Sequence, residues 1–380
     1  MSLALPPAAL GPAFVCAHAS SPRWQDAVET CARTISSAQI DANLGFVYVT
    51  DRFAGDLGQI AEALRAASGV AHWVGTVGIG VCATVTEYLD QPAIVALAGA
   101  FPEDGFRLLA NVDDPAALPE GLFTCGAHDA NLAVLHADPA NRQLLELIRG
   151  VSQRVSSGFV IGGLSSSRGL TTQVADTVSE GGVSGVLFGE NVRVLTRLSQ
   201  GCTPIGPRRR VTECHRNVIM KLDDKPALEA FDADVGERLA SDYRRAAGQI
   251  FAAVMIRGSD SGDYLVRNLV GIDPQQQWLA VGEWIEPGTE IMFCRRDAKS
   301  AREDLARVLQ SARATIDGPP RGGLYFSCLG RGEGLFGGDS AELKLIAEHL
   351  GEFPLVGFFG NGEISHDRLY GYTGVLLLFL

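Results

Sequence analysis

The chain has 380 residues, 46% of them hydrophobic and 20% charged. This is the composition of a globular protein, and the length favours two domains over one. A formal net charge of −12 argues against nucleic acid and anionic membrane as partners, because both call for a basic face. The basic run Arg208-Arg209-Arg210 follows Pro207 and reads as a solvated loop in preference to a phosphate site. The opening segment lacks a basic start and is interrupted at Pro6-Pro7, so no signal peptide is expected. The apolar run Val375 to Leu380 is too short to span a bilayer. Eight scattered cysteines without CxxC spacing read as reduced thiols, which points to a cytoplasmic chain.

In chain order, a Pro- and Ala-rich arm precedes a helix expected from Ser21-Pro22, with Trp24, Ala27, Val28, Cys31 and Ile35 at helical spacing. A unit follows: strand Leu44 to Thr50, helix Leu57 to Ala67, and Gly-rich strands His72 to Val81 and Ala93 to Ala100. The same order returns as strand Leu132 to Ala137, a helix after Asp138-Pro139, and strands Gly158 to Leu164 and Val183 to Gly189. Val192 to Leu198 is expected to form a hairpin with the last of these across Glu190-Asn191. It returns again with strand Leu324 to Cys328, a helix ending at Gly351 with Asp339 and Glu342 as a capping box, and strands Pro354 to Glu363 and Tyr370 to Leu380. Three strand–helix–strand–strand units suggest internal repetition, although layered α/β proteins show such order without it.

Between the second and third units lies a separate block. It holds a helix over Pro226 to Ile250, short strands at Val254 to Arg257, Tyr264 to Ile272, Trp278 to Trp284 and Glu290 to Cys294, and a helix over Ala301 to Ile316. Ser261-Gly262-Asp263 and Pro287-Gly288 supply turns. The fold class expected is mixed α/β with largely antiparallel sheets flanked by helices, in the form of a helix–sheet–sheet–helix sandwich. Turn residues cluster at Gly201 to Pro207. They divide the chain into an arm with the first helix (1–39), an N-terminal domain (40–204) and a C-terminal domain (205–380).

Several blocks resemble the FIST family, which pairs an N-terminal with a C-terminal FIST domain. They are QGCTPIGPRRRVT from Gln200, NVIMKLDDKPALEAF from Asn217, GDYLVRNLVGID from Gly262, EPGTEIMFCRRD from Glu286, FSCLGRG from Phe326 and PLVGFFGNGEI from Pro354. The resemblance implies a cytoplasmic sensory module for small ligands, amino acids among them. No output module is recognisable here, so a sensor of this kind would act through a separate signalling protein. Some relatives bind haem. This sequence has no CxxCH, a lone histidine is no signal, and neither a cofactor nor a metal is expected.

The candidate binding residues lie where apolar strands end. Ser327-Cys328-Leu329-Gly330-Arg331-Gly332 leads to Phe336. Its glycines let successive N–H groups face an anion, and Arg331 would take a ligand carboxylate. The alternative is a tight turn with Arg331 paired to a nearby acid. Phe358 and Asn361-Gly362-Glu363 offer an aromatic wall and, at Glu363, a partner for a ligand ammonium; Asn361-Gly362 also reads as a turn. Gly163 and Ser165 end the comparable strand of the second unit, where a Ser-rich loop is the plainer reading. Cys328 is either a reactive thiol or inert packing. No catalytic set is evident. The function expected is small-ligand sensing, the alternatives being a ligand-independent interaction scaffold or an enzyme of unknown reaction.

Overall fold

The computed structural model describes residues 14–236, 243, 249–256 and 264–380, so the N-terminal arm and the Ser261-Gly262-Asp263 turn lie outside it. The chain forms two compact units. The first comprises Met1–Ser199, Leu305–Leu369 and Thr373–Leu380, and the second Gln200–Asp304 with Tyr370–Tyr372.

The first unit opens with β1 (Phe14–Ser20), α1 (Trp24–Ser37), β2 (Leu44–Thr50), α2 (Leu57–Ser68), β3 (His72–Gly78), β4 (Gly80–Ala83), β5 (Thr86–Leu89) and β6 (Ala93–Gly99). Helix α1 starts at Trp24 and not at Pro22, because Ser21 folds back to accept the Arg23 N–H. Next come β7 (Phe106–Val112), β8 (Thr124–Cys125), β9 (His128–Ala137), α3 (Leu144–Ser152), β10 (Phe159–Leu164), β11 (Gln173–Ala175), β12 (Thr177–Ser179), β13 (Val183–Gly189) and β14 (Val194–Gln200).

The second unit contains β15 (Cys202–Pro204), β16 (Arg209–His215), β17 (Val218–Leu222), β18 (Lys225–Pro226), α4 (Ala227–Val235), β19 (Ile250–Met255), β20 (Tyr264–Asp273), β21 (Trp278–Val281) and β22 (Glu290–Arg296). Its ladder runs β22-β16-β17-β21-β20-β19 and returns to β22, antiparallel throughout. Closure of this kind leaves this six-strand ladder without an end strand. Val211, Ile219, Leu279, Ile291 and Phe293 share one core with Leu228 and Phe231 of α4. That helix stops at Gly236 (φ 78), well short of the expected Ile250, and 237–242 and 244–248 lie outside the described residues. The strand expected to reach Arg257 is β19, ending at Met255. Arg209 of the basic run is held by Asp234 and Asp223.

The chain returns with α5 (Ala298–Thr315), β23 (Gly322–Cys328), α6 (Glu333–Phe336), α7 (Ala341–Leu350), β24 (Leu355–Gly360), β25 (Glu363–Ser365), β26 (Arg368–Tyr370) and β27 (Thr373–Phe379). The three expected units are β2-α2-β3 with β6, β9-α3-β10 with β13, and β23-α7-β24 with β27. In each, the first two strands pair parallel across a helical crossover, and the last pairs antiparallel with the first. The sheets built on them have the same order: β1-β6-β2-β3-β11-β12, β7-β13-β9-β10-β25-β26 and β14-β27-β23-β24-β4-β5.

The outer hairpins of these sheets are exchanged. Hairpin β4–β5 leaves the first repeat for the third sheet, β11–β12 leaves the second for the first sheet, and β25–β26 leaves the third for the second. The exchange is a closed cycle, and it gives the unit a pseudo-threefold plan. Three expectations change with it. Pro354 to Glu363 is not one strand, because β24 ends at Gly360 in the third sheet and Glu363 opens β25 in the second. His72 to Val81 is not one strand, since the chain crosses between sheets at Ile79. Residues 194–200 do not form a hairpin with β13 but pair with β27. The mixed α/β class with mainly antiparallel pairing holds, but three sheets replace the two of a sandwich.

The inner faces of all three sheets meet in one core, which includes Phe46, Val74, Val134, Ile161, Val186, Leu324, Val356 and Val375. Tyr48, His136 and Phe326 occupy the same position in their repeats, one residue after the partner of Gly75, Gly162 or Gly357. Their rings form a triangle with centroids 5.4, 6.3 and 6.4 Å apart, which marks the pseudo-axis. The three glycines admit no side chain. A Cβ would lie 1.7, 1.8 and 1.7 Å from the carbonyl oxygens of Val47, Leu135 and Tyr325. Replacing Gly75, Gly162 or Gly357 by alanine should therefore cost more than about 4 kcal/mol, measured by urea unfolding. Gly121→Ala, where a Cβ meets nothing within 4 Å, should stay within about 0.5 kcal/mol of the parent.

Candidate functional site

Strands β3, β10 and β24 end where the chain crosses between sheets, and their loops are tied together there. The Asn361 N–H donates to Leu164 O at 3.1 Å, the Leu164 N–H to Gly362 O at 2.9 Å and the Leu329 N–H to Gly360 O at 2.9 Å. Ser166 accepts the Ile79 N–H at 2.8 Å and donates to Phe359 O, linking the other two repeats. Ser165 and Thr76 join their hydroxyls at 2.6 Å. Carboxyl ends of parallel strands at a topological crossing are where open α/β sheets bind ligands.

Beside this crossing, on the outer face of the third sheet, Arg331 is 1% exposed and Glu342 of α7 is fully buried. Arg331 Nε donates to Glu342 Oε1 at 2.7 Å. Tyr325 donates to the same oxygen at 2.6 Å, the Gly332 N–H to Oε2 at 2.9 Å, and Ser327 lies 3.3 Å from Oε2. Arg331 Nη2 reaches Ser199 and Tyr325, and the guanidinium carbon stands 4.9 Å from the Phe336 ring centroid. Gly332 makes the turn with φ 55. Burial opposes the charge of Arg331, yet Glu342 and Tyr325 hold its pKa above the ordinary value. The alternative reading, a tight turn with Arg331 paired to an acid, describes the geometry that forms. Glu342 is not the third residue of a capping box. Ser340 precedes the helix in the left-handed region without a side-chain cap, and the Glu342 carboxylate turns inward to Arg331.

A second group lies on the inner face. Glu363 pairs in register with Gly163, so the absence of a side chain at 163 leaves room for Phe358, whose Cζ would be 3.0 Å from a Cβ there. Glu363 Oε2 accepts the Thr373 N–H at 3.1 Å and its hydroxyl at 2.7 Å. Burial raises the Glu363 pKa from 4.5 to about 8, against the pull of Thr373 and of the Arg331 charge. Three of these residues keep buried polar atoms without a hydrogen-bond partner: Arg331 Nη1, Glu363 Oε1 and both carboxylate oxygens of Glu87 on β5. Glu87 Oε2 lies 3.2 Å from where a Gly332 Cβ would be. Burial, then the charges of Glu342 and Glu333, lift the Glu87 pKa to about 8. The Glu333 amide is near enough to draw that value down, without the geometry of a hydrogen bond to either oxygen.

The candidate residues thus fall into two adjoining groups. Ser327, Arg331, Gly332 and Phe336 surround Glu342, while Gly163, Ser165, Phe358 and Glu363 line the inner side of the crossing. Cys328 and Gly330 shape the loop after β23, and Asn361 is exposed on the loop into β25. Glu87, Tyr325, Glu342 and Thr373 were not among the candidates. Glu342 had a signal: with Ile346 and Leu350 it forms an i, i+4, i+8 stripe, which puts an acid on the buried side of a helix. Glu87 had none, because only the transfer of hairpin β4–β5 to the third sheet brings it beside Gly332.

Residues 43–225 match the FIST N domain and residues 227–366 the FIST C domain, so the chain belongs to the FIST family. It is 33% identical over 336 residues to an uncharacterized protein of Mycobacterium tuberculosis (strain H37Rv), covering 84% of this chain and 87% of that one. It is 31% identical over 322 residues to an uncharacterized protein of Mycobacterium bovis, covering 81% and 82%. No helix among the described residues is long and apolar enough to cross a membrane.

Two predictions follow from the ionic groups. Arg331→Met leaves Glu342 buried and unpaired and should cost about 3–5 kcal/mol. Adding Glu342→Gln, which removes the charge but keeps an acceptor for Tyr325 and Gly332, should recover more than half of that loss in urea unfolding. Glu87 binds its proton more tightly in the folded state, so its ionisation destabilises the fold progressively as pH rises from about 4.5 to about 8. Glu87→Gln should therefore raise the melting temperature at pH 8.5 and leave it unchanged near pH 4.

Proposed function

We propose that this chain is a cytoplasmic small-ligand sensor that takes an amino acid or a similar small carboxylate at the crossing where β10, β23 and β24 end. Its occupancy passes to a separate signalling protein. The observation that carries this reading is the pair of buried, electrostatically linked side chains, Arg331 and Glu363, each with one polar atom unpartnered. Native interiors satisfy nearly all such atoms, so these two, with the Glu87 carboxylate near them, call for an explanation, and a ligand at Arg331 and Glu363 supplies one. Family membership supports a sensory role at a coarser level. In this reading Ser327, Cys328, Gly330, Gly332 and Phe336 hold Arg331 in place. Phe358, Gly163, Ser165 and Asn361 form the wall and rim, and Glu363 fixes the ligand's orientation.

The test is a thermal-shift screen of the full chain against amino acids and small carboxylates. A ligand at a hundredfold excess over Kd adds about 2.7 kcal/mol to the folded state, or several degrees in melting temperature. A selective, concentration-dependent rise is expected. A flat response across the panel would instead favour a scaffold that recruits its partner without a ligand.

A further inference from the structure

The hydrogen-bond pattern at Glu363 says more about the ligand, provided the site is the one proposed above. An amino acid held by its ammonium at Glu363 and its carboxylate at Arg331 needs Glu363 ionised. Glu363 is fully buried, and among the described residues it forms no ion pair. Its Oε2 receives two neutral donors, the Thr373 N–H and hydroxyl, while Oε1 receives none. A buried carboxylate without a direct ion-pair partner is strongly disfavoured and takes up a proton instead, here against the pull of the more distant Arg331 charge. Because Oε2 already accepts two hydrogen bonds, the proton belongs on Oε1. Glu363 then presents an O–H and Arg331 Nη1 presents its N–H groups, so the unpartnered atoms of these two residues are both donors.

We propose that Arg331 and Glu363 act together as hydrogen-bond donors and that their ligand is a small carboxylic acid, bound as its carboxylate, for which an ammonium group is not required. The charges agree with this. Glu342 already balances Arg331, so a second carboxylate beside the pair is tolerated only if Glu363 stays neutral. From the elements packed around it, Glu363 faces Thr373 of β27, Gly163 of β10, and the charged groups Arg331 and Glu342. His136 stands in the same cross-strand row, beyond Gly163. It is kept neutral by burial, with its pKa lowered to about 3. Above the raised Glu363 pKa of about 8, an ionised Glu363 would repel the ligand.

Isothermal titration calorimetry on the full chain, with propionate, butyrate, propylamine, butylamine and alanine at pH 6.5 to 9.5, separates the alternatives. The acids should bind and the amines should not. Acid affinity should hold to about pH 8 and then fall by up to about tenfold per pH unit, as one linked proton requires. Glu363→Ala should weaken propionate at least tenfold, whereas Glu363→Gln, whose amide donates at every pH, should flatten the pH profile. If alanine or the amines bind while the acids do not, with affinity rising with pH, Glu363 is an ammonium acceptor. The donor assignment then fails and the sensor reading stands. If none of the five binds at any pH, both are overturned.

Discussion

Each sheet of the first unit is completed by a hairpin that another repeat supplies, and this exchange governs the rest of the molecule. The chain must leave its own sheet directly after the second parallel strand, so three ladders stop at Gly78, Leu164 and Gly360. Backbone groups that lose a ladder partner in the interior must find another. Here loops and hydroxyls provide them. Ser166 serves a donor of the first repeat and an acceptor of the third, and Asn361 and Gly362 close on Leu164. Much of the polarity at the crossing is therefore demanded by topology. Thr76, whose hydroxyl meets that of Ser165, answers the same demand by donating to the Thr172 carbonyl.

The repeats allow a comparison within one chain between what the fold requires and what it does not. Val81, Gln173 and Glu363 hold equivalent places, opposite Phe358, Thr76 and Gly163. Val81 packs in the core, and Gln173 bonds through both ends of its amide, to Gly182 and Ser184. Glu363 is left half satisfied. The outer faces tell the same story. Val47 and Val49 pack apolar neighbours of α2, and Leu135 and Ala137 those of α3. Their counterparts Tyr325 and Ser327 instead donate to Glu342. An apolar interface suffices twice, so the ionic one under α7 is not a requirement of the architecture.

Much of this was legible in the sequence because buried strands and amphipathic helices carry their own periodicity. The three strand–helix–strand–strand units, and the turns at Arg331 and Asn361, lie in segments with clear patterns. What periodicity does not carry is which sheet a strand joins. His72 to Val81 reads as one Gly-rich run, and nothing local marks the crossing at Ile79. The 194–200 segment likewise follows Glu190-Asn191 as a hairpin strand would, yet finds its partner more than 170 residues later in β27. Glu342 was misassigned for a related reason. Its position near a helix start fits a cap, and only the stripe it makes with Ile346 and Leu350 points the other way.

The polar interface under α7 has an energetic consequence. A buried ion pair seldom stabilises a protein over a well-packed apolar substitute, because desolvation offsets the attraction. The third repeat thus accepts a cost that the first two avoid, and their apolar faces help to offset it. In return Arg331 is fixed by the fold itself, with Nε and Nη2 engaged, Phe336 on its face and one amino group left over. A guanidinium already dehydrated and oriented loses little freedom on binding, which favours recognition by a few polar atoms over a large contact area. The local rules of packing are broken in one repeat of three, and the break lies beside the crossing where the parallel strands of the three sheets end.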